Sequence, residues 1–79
     1  MTIQIHNTKQ IVKCETKSGE IIECRVWEGV TKKGVGVSML IKAYALFGTE
    51  RDEADFLAEL ESNDAPTSLG DVWPSKIEA

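Results

Sequence analysis

Cysteine and histidine are scarce in this chain, which has two cysteines and one histidine among 79 residues. Two cysteines are too few for the disulfide framework of a small secreted domain. Cys14, Cys24 and His6 could supply three metal ligands, but no C-x-x-C or H-x-x-x-H spacing supports a metal site. The sequence therefore predicts two buried free thiols that act as small hydrophobic groups, with no metal and no cofactor.

Long apolar runs are also lacking, and no basic segment followed by an apolar one opens the chain. A membrane span needs roughly 18 consecutive apolar residues, so the sequence predicts no membrane partner and a cytoplasmic location. An apolar content of 42% and a charged content of 28% argue for a globular protein and against disorder. A chain of this length predicts one small domain over residues 1–79.

The sequence contains none of the residue combinations that common catalytic sites use. It has no nucleophile beside a base, and no glycine-rich loop that leads into a helix. Asp52, Asp55 and Glu59 would share one stripe of a helix, but an exposed acidic stripe has no hydrophobic pocket that would raise a carboxyl pKa. The sequence therefore predicts that the protein is not an enzyme.

Basic residues are few, and the acidic residues are concentrated in one segment. The net charge is −4 and the pI is about 4.9. Residues 49–64 hold seven acidic side chains and only one basic side chain, Arg51. This acidity argues against a protein that binds nucleic acid through its phosphates. The acidic segment is typical of a solvated helix face, but it could also engage a basic groove on another protein.

The alternation of apolar and charged residues predicts a β-hairpin with strands at about 9–16 and 20–29. Five apolar residues fall on even positions (Val12, Cys14, Ile22, Cys24 and Val26), and four charged residues fall on odd positions (Lys13, Glu15, Glu23 and Arg25). A three-residue loop, 17–19, keeps the even apolar residues on one face. This loop pairs Val12 with Cys24 and Cys14 with Ile22.

A third strand is predicted at about 35–47, where the apolar residues fall on odd positions instead. A four-residue loop, 31–34, would pair even-numbered residues of the second strand with odd-numbered residues of the third. This pairing completes a meander with one apolar face. In this register Val26 faces Met39 and Cys24 faces Ile41.

The pattern then changes to that of one amphipathic helix at about 50–62, with Thr49 as its N-cap. An irregular tail, 63–79, follows the helix. Ile3 and Ile5 could add a short fourth strand at the N-terminus. The expected fold class is α+β, in which a three-stranded antiparallel meander is packed by one helix in the C-terminal half. The helix is expected to cover the face of Cys24 and Val26.

The predicted register places Trp27 on the sheet face away from the helix. The same face would carry Ile21, Arg25, Leu40 and Tyr44. Because one helix cannot cover both faces of a sheet, three alternatives remain for this face. The tail could fold over it, a second subunit could pack on it, or another macromolecule could dock there, since aromatic residues framed by charge are typical binding anchors.

Binding to another protein is the function that these features favour, through the sheet face around Trp27 and through the acidic helix. Nucleic acid is a second and less favoured partner. In that alternative Lys32 and Lys33 would hold a phosphate, while Arg25 and Trp27 would contact a base. A homodimer, or a larger homo-oligomer with a structural role, is the third alternative.

The segment Arg25-Val-Trp-Glu-Gly29, with Thr31 and Gly34, resembles a V-W-E-G-x-T-x-x-G pattern in short proteins encoded by phages, prophages and integrative elements of proteobacteria. The resemblance spans about residues 24–67 and includes Phe56-Leu-Ala-Glu-Leu60 and Ala65-Pro-Thr67. These short motifs carry no known active site. The resemblance implies a mobile-element accessory protein that acts on a host protein in the bacterial cytoplasm. Inhibition of a host defence system, such as a CRISPR effector complex, is the activity that this implies.

Overall fold

The structure is a computed structural model that describes residues 1–74 and 76–78. The chain forms an α+β fold, as the sequence predicts, with a mixed four-stranded sheet in the order β3-β2-β1-β4. Strand β4 runs parallel to β1, and the other neighbours are antiparallel. The predicted tail includes positions 75 and 79, which lie outside the described residues. The elements are β1 (Ile3–Glu15), β2 (Ile21–Thr31), β3 (Gly36–Ile41), helix α1 (Glu50–Glu61), a 3₁₀ helix (Ser68–Val72) and β4 (Lys76–Glu78).

The predicted pairing of the first hairpin is confirmed. Val12 lies opposite Cys24, and Cys14 lies opposite Ile22. The loop is closed by a 2.8 Å hydrogen bond from the Thr16 amide to the Glu20 carbonyl. Gly19 adopts a φ of 84°, which costs a glycine little.

The predicted register of the second hairpin is wrong by one residue. Trp27 lies opposite Met39, and Val26 lies opposite Leu40 rather than Met39. The loop has three residues because the Thr31 side chain accepts a hydrogen bond from the Val35 amide at 3.1 Å, which stabilises the tighter turn. The prediction of a four-residue loop assumed that only one face of the sheet is apolar, whereas this sheet has apolar residues on both faces.

Strand β1 is longer than predicted because a bulge joins its two halves. Asn7 pairs with Trp27 and Ile11 pairs with Arg25, so residues 8–10 all lie opposite Val26. The Thr8 hydroxyl donates a 2.8 Å hydrogen bond to the Val26 carbonyl and ties the bulge to β2. The predicted N-terminal fourth strand is therefore the first half of β1. The fourth strand of the sheet is the C-terminal β4.

Strand β3 ends at Ile41, so the prediction that it continues to residue 47 is wrong. Residues 42–49 leave the sheet and lead into α1, which begins and ends close to the predicted bounds. The Tyr44 ring lies against that of Phe56, with ring centroids 4.8 Å apart. This contact replaces the strand pairing that Tyr44 would have made.

Helix α1 packs on the face of the sheet that carries Trp27, not on the predicted face of Cys24 and Val26. The Asn7 side-chain amide donates a 2.5 Å hydrogen bond to the Leu60 carbonyl. Trp27, Phe56 and Leu60 line one cleft between the helix and the sheet. The corrected register explains this position, because it places Val37, Met39 and Ile41 on the same face as Trp27 and makes that face apolar.

The opposite face of the sheet is covered by the chain that follows α1. The Gln10 side chain donates a 3.0 Å hydrogen bond to the Gly70 carbonyl. The Trp73 indole N–H donates to the Ser38 hydroxyl at 2.8 Å. Val12 and Val26 are fully buried on this face. The tail does fold over a sheet face, but over the one opposite to Trp27.

Candidate functional site

Glu28 is the most unusual residue of the V-W-E-G segment, because its charged side chain is 0% exposed. Its carboxylate accepts hydrogen bonds from the Thr67 amide and the Thr67 hydroxyl, each at 3.0 Å. A buried carboxylate requires such donors, since it has lost its water. We call this pair the Glu28–Thr67 latch; it fixes the tail to β2.

The neighbouring residues of the same segment also have structural roles. A Cβ atom at Gly29 would collide with the carbonyl oxygen of Gln4 on β1, so the close approach of the two strands requires glycine. Gly34 supplies a φ of 82° to the second turn, and Thr31 caps that turn. Trp27 is half-buried beside α1. The segment that carries the resemblance thus builds the fold of this chain.

The five residues predicted to form one binding face do not lie together. Ile21, Arg25 and Trp27 share a face of β2, but Leu40 lies opposite Val26 and therefore on the other face. Tyr44 lies outside the sheet. Arg25 is held in place, because its guanidinium donates a 2.7 Å hydrogen bond to the Thr8 carbonyl at the bulge.

The three predicted acidic residues of α1 have different environments. Asp52 completes a capping box, in which its carboxylate accepts a 2.8 Å hydrogen bond from the Thr49 amide. Hydrogen bonds from the Thr49 backbone and side chain lower the pKa of Asp52 below its ordinary value of 3.8. Asp55 and Glu59 are exposed. Within residues 1–74 and 76–78, no carboxylate of α1 forms a salt bridge.

The turn lysines, Lys32 and Lys33, are exposed at the edge of an open groove of about 540 Å³. Aliphatic side chains from the start of the chain and from the second hairpin form most of its wall. We call this site the hairpin groove; it is lined by Met1, Thr2, Ile3, Thr31, Lys32, Lys33, Val35 and Val37.

Exposed apolar side chains lie in segment 42–49 and on α1; sequence reasoning predicted Tyr44 as a binding residue but missed the exposure of Phe47 and Leu57. Phe47 is 96% exposed, and Tyr44, Leu46 and Leu57 are 40–53% exposed. We call these four residues the apolar ridge. The signal was in the sequence: residues 43–47 are consecutively apolar, so an extended segment cannot turn all of them toward one face. The strand predicted at about 35–47 placed Tyr44, Leu46 and Phe47 in the sheet instead.

The two thiols lie next to each other on adjacent strands. The Sγ atoms of Cys14 and Cys24 are 3.6 Å apart, and both cysteines are free. Burial raises the pKa of the Cys24 thiol above its ordinary value of 9.0, and its hydrogen bond with Cys14 adds to this effect. Cys24 is therefore a protonated, unreactive thiol near neutral pH.

Comparisons with protein families, with curated proteins and with solved structures found no match to this chain. In the described ranges, no three histidine, cysteine, aspartate or glutamate residues converge on a common point that could hold a metal ion. Neither does any helix there have the length and apolar character needed to cross a bilayer. The apolar ridge and the hairpin groove are the surfaces from which a binding function can be argued.

Proposed function

We propose that this chain is a non-catalytic protein-binding module that docks on another protein through the apolar ridge and the adjacent carboxylates of α1. The exposure of Phe47 carries the proposal. Exposing a whole aromatic side chain forgoes the burial of a large apolar area, which a domain of this size needs. Exposed aromatic residues framed by charge are typical anchors of protein interfaces.

The charges around the ridge define the kind of partner that fits. Glu50, Asp52 and Glu53 lie in the first turn of α1, within six residues of Phe47. Such a surface complements a site that combines lysine or arginine side chains with an apolar pocket. Sites that bind nucleic acid are rich in such cations, so a bound acidic module would exclude the nucleic acid.

We infer the class of partner from this complementarity together with the resemblance of the V-W-E-G segment to mobile-element proteins. The partner is a nucleic-acid-binding protein of the host bacterium, of the kind found in CRISPR effector complexes. In this proposal the chain is an inhibitor that acts in the host cytoplasm by occupying the site where the nucleic acid would bind.

The proposal is tested by competition for DNA with purified CRISPR effector complexes of proteobacteria. The wild type should reduce the binding of labelled target DNA, whereas a Phe47→Ser/Leu57→Ser variant should need at least about ten times more protein, a loss of about 1.4 kcal/mol. Ile21→Ser/Val72→Ser is the matched control, because both residues are exposed and distant in sequence from the ridge. This control should inhibit like the wild type.

Two results would contradict the proposal. Ridge and control variants that inhibit equally would show that the apolar ridge is not the docking surface. A wild type that leaves DNA binding unchanged in every effector complex tested would reject the proposed class of partner. Titration of labelled DNA with the chain alone separates direct DNA binding through Lys32 and Lys33 from competition for the effector.

A further inference from the structure

The molecule exposes a second apolar surface, which is bordered by lysines, whereas carboxylates of α1 adjoin the ridge. The hairpin groove has an aliphatic floor that includes Ile3, Val35 and Val37, and Val35 is 59% exposed. Lys32 and Lys33 border it. The groove therefore fits an apolar side chain that is accompanied by negative charge.

The groove and the ridge belong to different parts of the fold. The groove is built by the start of β1 and by the turn that precedes β3, whereas the ridge follows the end of β3. Among the described residues, none of α1 or of segment 42–49 contributes to the lining of the groove. One copy can therefore present both surfaces at the same time.

We propose that the hairpin groove is occupied by the apolar ridge of a second copy of this chain. Phe47 of one copy enters the groove of the next, and the carboxylates of Glu50 and Glu53 face Lys32 and Lys33. Charge complementarity favours this occupant, because the exposed Phe47 of the ridge is followed by carboxylates of α1 that form no salt bridge in the described part of the chain. The overall charge of −4 opposes contact between two copies unless surfaces of opposite charge meet.

In this proposal the two surfaces meet once per pair of copies, so the contact is head-to-tail. It leaves a free groove at one end and a free ridge at the other, so copies add further until a ring closes or a chain grows. This inference goes beyond the proposed function. It also implies competition, because a ridge that occupies a groove cannot dock on a partner protein.

The test uses sedimentation velocity of the full chain over a wide range of concentrations. The wild type should sediment faster as its concentration rises, and less so at 1 M salt, where charges are screened beyond roughly 3 Å. A groove variant, Lys32→Glu/Lys33→Glu, and a ridge variant, Phe47→Ser, should each be monomeric. Lys13→Glu/Lys17→Glu is the control for the change in charge; these exposed lysines lie outside the groove, and this variant should still associate.

An equimolar mixture of the two variants distinguishes head-to-tail contact from other modes. The groove variant keeps its ridge and the ridge variant keeps its groove, so the mixture should form a heterodimer and nothing larger. A symmetric dimer in which ridge packs on ridge would persist in the groove variant alone, and a two-fold dimer with two reciprocal groove–ridge contacts would stop at two copies in the wild type. A wild type that stays monomeric at millimolar concentration, or a mixture that stays monomeric, would overturn the proposal. Circular dichroism checks that each variant is folded.

Discussion

Glu28 shows how a charged residue becomes part of the core of a very small domain. A carboxylate loses several kcal/mol of hydration on burial unless donors replace the water. Here a single residue, Thr67, supplies both donors, and it lies 39 positions further along the chain. The burial of the Glu28 carboxylate therefore depends on the tail, because the tail residue Thr67 supplies its hydrogen-bond donors.

We expect Glu28→Ala to lower the free energy of unfolding by about 2–3 kcal/mol, because it leaves the Thr67 amide without an acceptor in a partly buried site. Glu28→Gln keeps one carbonyl acceptor, so its loss should be smaller. Urea denaturation measures both. Equal losses for the two variants would contradict this expectation, because they would show that the amide carbonyl of glutamine cannot replace the carboxylate as acceptor for Thr67.

The buried thiol of Cys24 should make stability depend on alkaline pH. Because folding raises its pKa above 9.0, the protonated form is favoured in the folded state. This contribution is complete below about pH 9 and is lost as the pH rises further, since the unfolded state then releases its proton more easily. We expect the difference in free energy of unfolding between wild type and Cys24→Ala to shrink from about pH 8 to about pH 10. A constant difference would contradict this expectation.

At the scale of the elements, what could be predicted depended on how local the determining interactions are. The first hairpin was predictable because alternation and Gly19 fix its register within about 20 residues. The register of the second hairpin was not predictable. Thr31 stabilises a shorter turn, and because both faces of the sheet carry apolar residues, the hydrophobic pattern does not select one register. The helix and its Thr49 cap are local features and were predictable, whereas the face on which α1 packs depends on the register of β3.

The candidate site follows the same rule. Lys32, Lys33 and the carboxylates of α1 were predicted as exposed, because charge on a turn or helix face stays in water. The apolar run at 43–47 signals that some of these side chains are exposed, but which of them are exposed depends on where β3 ends. Leu40 was assigned to the wrong face by the same error of one residue.

The capping box predicts a measurable contribution of the first turn of α1. We expect Thr49→Ala to lower the free energy of unfolding by about 1 kcal/mol, because the Asp52 amide loses its acceptor. The lowered pKa of Asp52 makes the contribution of the capping box depend on pH. The contribution is present above pH 3.8, the ordinary pKa of the carboxyl group, and is lost as the pH falls through the lowered pKa of the folded state. Thr2→Ala is the control, since Thr2 is exposed. Equal stability of the two variants would show that the cap does not contribute.

At the scale of the whole molecule, the sheet has two different covers. Helix α1 lies over Trp27 without any fully buried residue of its own, whereas the tail covers the face on which Val12 and Val26 are fully buried. The tail therefore protects the better-packed core. Lys76 adds to it through a 2.6 Å ion pair with Glu15.

A chain that stops after Pro66 should lose its specific packing, since the truncation removes the latch, the 3₁₀ helix and β4. We expect retention of much of the far-UV circular dichroism signal, loss of the near-UV signal of Trp27, and binding of a hydrophobic dye to the uncovered face. A cooperative thermal transition at the temperature of the full chain would show that the tail is dispensable. The full chain with Ile21→Ser serves as the control, because this change leaves the tail intact.

The latch also sets the order of events during synthesis on the ribosome. The meander can pair once residue 41 has emerged, but the acceptor at Glu28 waits for Thr67, and Gln10 waits for Gly70, 60 residues later. Contacts of such long range slow folding, and an uncovered sheet face is prone to aggregate in the meantime. The emerging chain is therefore expected to remain a substrate for chaperones and proteases until Thr67 and Gly70 are free to reach the sheet.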